Sequence, residues 1–317
     1  MIFLYLLIFV IACYVLVKAG VALVKILTVL SRYFRLTEYV FAFILMAFAT
    51  SVPELFVGLA AGIRGLSAIS LGNIIGSNLV NLTFVLGAVV IMAKGLKIES
   101  KIAKRDAWII IFIALLPLLL LFDKQLSRGE GVLLIIVFGW YIYHILKQKD
   151  AFTKRMDSMK RDIKAFKKLL KNILYFAVAL IVLLAGSWGI VESAKLIAKE
   201  LYLPLTLIGI ILVAIGTSLP ELVFGVRAVI AKHEGLSLGN LVGSVVVNST
   251  FILGLVAVIN PIKIESFNVI YVGGAFMIMA ILIANLFIAT KEKISWKEGV
   301  FLIVFYLAFL VAEFLLK

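Results

Sequence analysis

Thr50-Ser51-Val52-Pro53-Glu54-Leu55 and Thr217-Ser218-Leu219-Pro220-Glu221-Leu222 are nearly the same six-residue phrase, written twice at an offset of 167 residues. The likeness runs outward from both copies. Residues 49–87 align with 216–254 without a gap, and 20 of the 39 positions are identical. Gly72-Asn73, Gly76-Ser77 and Asn81 meet Gly239-Asn240, Gly243-Ser244 and Asn248. Fainter echoes lie within one residue of the same offset: Lys97-Ile98-Glu99-Ser100 recurs as Lys263-Ile264-Glu265-Ser266, and Glu130-Gly131 as Glu298-Gly299. One copy in each half marks a duplicated chain.

The halves are built for lipid. Of 317 residues, 64% are hydrophobic and 15% charged, and the mean hydropathy is +1.19. Soluble domains run at about 45–50% apolar and about 25% charged, so the excess apolar surface must face a bilayer. That excludes a soluble enzyme, a disulfide-stapled secreted scaffold and a disordered regulator. One cysteine, Cys13, and two histidines provide no cluster for zinc or a softer metal.

Long apolar runs give ten candidate spans, at 2–30, 37–63, 67–93, 106–122, 130–146, 172–198, 204–230, 237–259, 267–289 and 298–316. They lack the alternation of a barrel and read as helices. The first is taken as a span and not a signal peptide, because no basic region precedes it. The net charge of +14 sits mostly in the gaps, where membrane topology accounts for it without a nucleic-acid partner. With both termini outside, the inner gaps hold 22 Lys and Arg and the outer gaps 7, which is the bias of a cytoplasmic side. Residues 147–171 then form a basic cytoplasmic linker between a first five-helix unit, 1–146, and a second, 172–317. Five is odd, so the second unit crosses in the opposite sense. The expected fold is an all-α membrane protein of ten transmembrane helices in two inverted five-helix repeats, an architecture of many secondary transporters.

Pro53 and Pro220 fall at equivalent depths in spans two and seven. Each removes a backbone donor and frees a carbonyl four residues back, at Ala49 and Gly216. Broken helices at that depth occur where they line a cavity or are buried in protein. Glu54 and Glu221 follow immediately and are the acidic residues nearest the middle of a span. A carboxylate there costs about 2.5–3.5 kcal/mol even on the lenient insertion scale, and spans two, three, seven and eight hold no mid-span Lys or Arg to pair with it. The helical spacing places Thr50 and Ser51 on the face of Glu54, and Thr217 and Ser218 on the face of Glu221. Asn73, Ser77 and Asn81 line one stripe, as do Asn240, Ser244 and Asn248; Asn78 faces Val245 in the alignment and is left out of the site. This inventory is all oxygen, which suits hard cations. Two carboxylates balance one divalent ion or two monovalent ones, the arithmetic of an exchanger. The identity of the ions stays open at this point.

The two motifs resemble the paired α-repeats of the cation/calcium exchanger superfamily, and most of all the prokaryotic sodium/calcium exchangers, with a G-T-S-x-P-E run followed by G-N-x-x-G-S-x-x-x-[N/D]. The resemblance implies a Na⁺/Ca²⁺ antiporter of the plasma or inner membrane that normally extrudes Ca²⁺, uses no cofactor and is not an enzyme. It implies Glu54 and Glu221 as central Ca²⁺ ligands shared with Na⁺. Thr50, Ser51, Thr217, Ser218, Ser77 and Ser244 and the carbonyls of Ala47 and Ala214 would complete the cation sites, with Asn81 and Asn248 as further polar members. It also implies that spans one and six slide across the other eight. Ala49 stands where the motif usually has Gly, and Asn248 where some members carry Asp, which bears on stoichiometry. A proton/calcium or broader cation exchanger, and a Ca²⁺-permeable channel, are the alternatives. Neither Gly72-Asn73 nor Gly239-Asn240 is followed three residues on by the Glu of the proton-coupled branch.

Overall fold

The computed structural model describes residues 2–31, 46–98, 101–147, 163–264, 267–290 and 292–315. Most of the linker expected at 147–171, and the start of the span expected at 37–63, lie outside the described residues.

The described chain is helical throughout apart from four two-residue strands. In order come α1 (Ile2–Ser31), α2 (Ala47–Thr50), α3 (Val52–Ile63), α4 (Ser67–Val80), α5 (Leu86–Met92), β1 (Leu96–Lys97), α6 (Lys101–Leu120), β2 (Gln125–Leu126) and α7 (Arg128–Lys147). Then follow α8 (Ile163–Glu200), α9 (Leu205–Ile208), α10 (Ala214–Thr217), α11 (Leu219–Ile230), α12 (Glu234–Val247), α13 (Leu253–Ile259), β3 (Ile262–Lys263), α14 (Phe267–Thr290), β4 (Lys293–Ile294) and α15 (Trp296–Leu315). Among the described residues, seven helices are long and apolar enough to cross a membrane. Large apolar side chains such as Phe3, Trp108, Ile181 and Tyr271 are exposed on their outer faces, as a lipid solvent requires.

Local chemistry explains the breaks. Ser51 leaves the helical region (ψ 3°) just before Pro53, and Ser218 does so (ψ 1°) just before Pro220. α2 therefore ends where α3 begins, and α10 where α11 begins, because neither proline has an N–H to continue the ladder. A second irregularity is shared: α4 and α5 are joined by a π-turn at Asn81–Val85, and α12 and α13 by one at Asn248–Ile252. Such turns commonly accompany functional sites.

The fainter sequence echoes acquire physical reasons. Ser127 and Glu130 form a capping box at the start of α7, with the Ser127 N–H donating to Glu130 Oε2 at 2.7 Å. Ser295 and Glu298 repeat it at α15 with the same 2.7 Å bond. The glycines beside these acids are crossing points: a Cβ on Gly131 would meet the Gly254 carbonyl oxygen at 2.7 Å, and one on Gly299 would meet that of Gly87 at 2.9 Å. The strands pair across the halves, β1 with β4 and β2 with β3, both antiparallel.

Two apolar cores result. The larger takes in α4 to α7 and α12 to α15. The smaller joins α1 to α8 and packs both on the broken spans, through Phe9, Leu16, Leu183, Ile190, Val57 and Val213. Small residues line that second seam: a Cβ on Gly186 would touch Leu16 Cβ at 3.4 Å. Arg64, which ends α3, bonds Glu192 of α8 and lies 3.9 Å above the Trp188 ring. It is the one ion pair among the described residues.

Candidate cation-binding site

The helix breaks meet α4 and α12. α4 meets α9 and the π-turn after it (Gly209–Val213) through glycines: a Cβ on Gly72 would lie 2.2 Å from the Thr206 carbonyl oxygen, and one on Gly76 2.2 Å from that of Ile210. Only hydrogen side chains permit this approach, which sets Asn73 and Ser77 of α4 beside Thr217 of α10. Thr217 Oγ1 donates to Asn73 Oδ1 at 3.0 Å and lies 3.2 Å from Ser77 Oγ. The same arrangement recurs with the halves exchanged. Thr50 Oγ1 donates to Asn240 Oδ1 at 3.0 Å and lies 3.3 Å from Ser244 Oγ. In each case the asparagine carbonyl takes the threonine proton, so the hydroxyl's lone pairs are what remain for the site.

The carboxylates sit between these sets. Glu54 and Glu221 are both 0% exposed. The hydroxyls of Thr217, Ser77 and Ser218 face Glu54, and those of Thr50 and Ser244 face Glu221. Only one of these contacts closes to a hydrogen bond, Ser244 Oγ to Glu221 Oε1 at 3.4 Å. The sequence pattern groups Thr50 and Ser51 with Glu54, and the structure adds contacts that spacing along one helix does not give. Each acid is met by a threonine from the other half.

All the residues singled out by sequence are buried: Thr50, Ser51, Glu54, Ser77, Asn81, Thr217, Ser218, Glu221, Ser244 and Asn248, with Ala47 and Ala214. The two alanine carbonyls are already engaged. The Ala47 oxygen accepts from the Ser51 N–H at 3.0 Å and the Ala214 oxygen from the Ser218 N–H at 3.0 Å, with Thr50 Oγ1 and Thr217 Oγ1 lying 3.3 and 3.4 Å away.

Unpaired buried oxygens recur at matched positions of the two halves, beside unpaired amide nitrogens of Asn73, Asn81 and Asn240. Among the described residues, Ser51 Oγ, Ser218 Oγ, both Glu54 oxygens, Glu221 Oε2, Asn81 Oδ1 and Asn248 Oδ1 are buried without a hydrogen-bond partner. A buried acceptor without a donor costs about 1–3 kcal/mol, and more for a charged group, so oxygens held this way in matched positions fit a cation as the missing partner. Neutral and anionic oxygens suit Ca²⁺ or Na⁺ and not a soft metal. Sequence reasoning missed Asn78. It is fully buried and bonds both Asn248 and Ser249; its mismatch with Val245 in the repeat had argued against it. Asn73 and Asn240 were placed on the right stripe, but their part in holding the threonines was not foreseen.

Apolar helices wrapped around a buried, oxygen-lined, doubly acidic centre define a membrane protein that handles hard cations. Comparison with known proteins makes this specific. The chain matches the sodium/calcium exchanger protein family over residues 4–147 and 171–315, and it belongs to that family, one of antiporters and not of enzymes. It is 29% identical over 335 aligned positions to the sodium/calcium exchanger MaX1 of Methanosarcina acetivorans, covering 94% of this chain and 95% of that protein. It is 26% identical to the inner membrane protein YrbG of Escherichia coli, covering 75% of this chain and 74% of that one. Among solved structures it resembles the sodium-calcium exchanger NCX_Mj soaked with Na⁺ and Sr²⁺, with a TM-score of 0.71, 25% identity, and coverage of 98% of this chain and 99% of that one. The protein is thus an integral, multi-pass cation/Ca²⁺ exchanger.

Proposed function

We propose that this exchanger couples inward movement of Na⁺ to extrusion of Ca²⁺ across the plasma or inner membrane, by alternating access to one mid-membrane site. The chain forms two inverted five-helix repeats, 1–146 and 172–317, joined by a cytoplasmic linker at 147–171, with ten spans and both termini outside. Their equivalence is supported by the twice-occurring proline break, π-turn, capping box and glycine crossing, all at offsets of 167 or 168 residues. In this reading Glu54 and Glu221 are the principal ligands. Thr50, Ser51, Ser77, Thr217, Ser218, Ser244, Asn81 and Asn248 supply neutral oxygens, and the Ala47 and Ala214 carbonyls, each accepting one backbone N–H, add a second lone pair.

The observation that carries the proposal is the matched set of unpaired oxygens on Ser51 and Ser218, Glu54 and Glu221, Asn81 and Asn248. Ca²⁺ takes 6–8 oxygens in flexible geometry, and two carboxylates neutralise either one Ca²⁺ or two Na⁺. Hydroxyls from both halves face each carboxylate, so a movement of helices about this centre opens and closes one set of ligands. In this reading α1 and α8, which pack together and on the broken spans, slide across the other spans.

The test is uptake of radiolabelled Ca²⁺ into proteoliposomes loaded with Na⁺ and diluted into Na⁺-free buffer, beside vesicles loaded only with acidic buffer. Uptake that requires internal Na⁺ and survives collapse of the proton gradient is expected. Uptake driven by acid alone would move the protein to proton coupling, and uptake without any gradient would make it a channel.

A further inference from the structure

Asn81 and Asn248 are equivalent in sequence, and each opens a π-turn, yet their surroundings differ. Both amide atoms of Asn81 are buried without a hydrogen-bond partner, whereas of Asn248 only Oδ1 is. The difference originates at two places where the repeat breaks: Asn78 stands opposite Val245, and Leu82 opposite Ser249. Both polar members are at Asn248. Asn78 Nδ2 donates to Ser249 Oγ at 2.8 Å, and Asn78 Oδ1 accepts from Asn248 Nδ2 at 3.2 Å. The apolar members, Leu82 and Val245, are equally buried and offer Asn81 neither donor nor acceptor.

The terminal torsion of an asparagine is broad and nearly two-fold, so an unrestrained amide presents nitrogen as readily as oxygen. A cation accepts only the oxygen. We propose that Asn78 is a positioning and specificity-determining residue for cation binding. By engaging the Asn248 nitrogen it keeps the Asn248 carbonyl oxygen turned to the ion, while Asn81 remains able to turn over. The inference rests on the reading of Asn248 as an ion ligand. The two asparagines then do different work. Asn248 is an oxygen ligand at all times. Asn81, with neither amide atom held, offers its oxygen only part of the time.

The assay is Ca²⁺ titration of the purified protein in detergent, reading the concentration that gives half of the Ca²⁺-induced rise in melting temperature. Asn78→Val copies the residue at the equivalent buried position, so the helix already tolerates it there. It should raise the half-maximal Ca²⁺ concentration about tenfold, the worth of one fixed polar contact. In an Asn248→Asp background the same substitution should shift it less than twofold, because a carboxylate presents oxygen whichever way it turns. Equal shifts in both backgrounds, or no shift in the parent, would overturn the proposal. Ser249→Ala, which removes only the hydroxyl that Asn78 donates to, should move the midpoint the same way by about threefold, and no movement there counts against the proposal even if Asn78→Val fails to fold. Asn248→Ala separates the two levels: an unchanged Ca²⁺ midpoint in that variant refutes the ligand reading itself, and this inference with it.

Discussion

A methyl group at Gly72 tests the site through the backbone alone. In Gly72→Ala the new Cβ would lie 2.2 Å from the Thr206 carbonyl oxygen and 3.1 Å from Gly209 Cα. Carbon and carbonyl oxygen settle at about 3.3 Å or beyond, so α4 must withdraw about 1 Å from the span carrying Thr217. The bonds that close this side, 3.0 Å from Thr217 to Asn73 and 3.2 Å from Thr217 to Ser77, would open to about 4 Å, past hydrogen-bonding range. Overpacking costs about 1–3 kcal/mol and each lost bond about 0.5–1.5 kcal/mol, so the variant should lose about 2–6 kcal/mol. Gly139→Ala is the control. A Cβ there meets nothing within 4 Å, and alanine gains about 0.5–1 kcal/mol over glycine inside a helix. Melting in detergent, with and without Ca²⁺, reads both effects. Gly72→Ala should melt several degrees below the parent and need more Ca²⁺ for the same stabilisation, while Gly139→Ala should do neither. If the two variants melt alike and bind Ca²⁺ alike, the close approach of α4 does not hold the site.

Glu54→Gln and Glu221→Gln should each abolish Na⁺-driven Ca²⁺ uptake and the Ca²⁺-induced rise in melting temperature. In chelator they should melt no lower than the parent, since each replaces a buried carboxylate poorly supplied with donors by a neutral amide; a marked drop there would make the acids structural. Asn248→Asp should change the Na⁺ dependence of transport more than the Ca²⁺ half-saturation, and an unaltered Na⁺ dependence would speak against a coupling role. Ser127→Ala and Ser295→Ala each remove one capping box and should cost about 0.5–2 kcal/mol. Melting losses for these two that differ by more than a factor of two would argue against equivalent caps.

The breaks at Pro53 and Pro220 and the burial of both acids were legible in the sequence, because proline and carboxylate are each costly inside a membrane helix and here coincide twice. The π-turns were not. Asn81 and Asn248 occupy them without any local breaker, and an inserted residue in a helix shows only in hydrogen bonding. The exchange of threonines between halves was hidden for a related reason: helical spacing relates residues of one segment, and says nothing of which residues of the other half pack against it. The bonds of Asn78 to Asn248 and Ser249 were not legible from the symmetry that found the rest. Matching positions reveals what two halves share, and Asn78 acts where they differ. The echoes at Glu130 and Glu298 were visible as pattern, while the cap and the glycine crossing that explain them required coordinates.

The crossing of hydroxyls between halves has an ancestral consequence. Glu54 is faced by Thr217 and Ser218, and Glu221 by Thr50, so one half alone holds an acid without the threonine that attends it. Two separate copies of a single half, inserted in opposite senses, would complete the site, but they would carry one and the same residue at positions 78 and 245. Both would have asparagine, or both valine. Once the copies are inherited as a single chain, each position mutates on its own. The pairing of Asn78 with Ser249 on one side, against Val245 and Leu82 on the other, is a difference that two copies of one half could not carry.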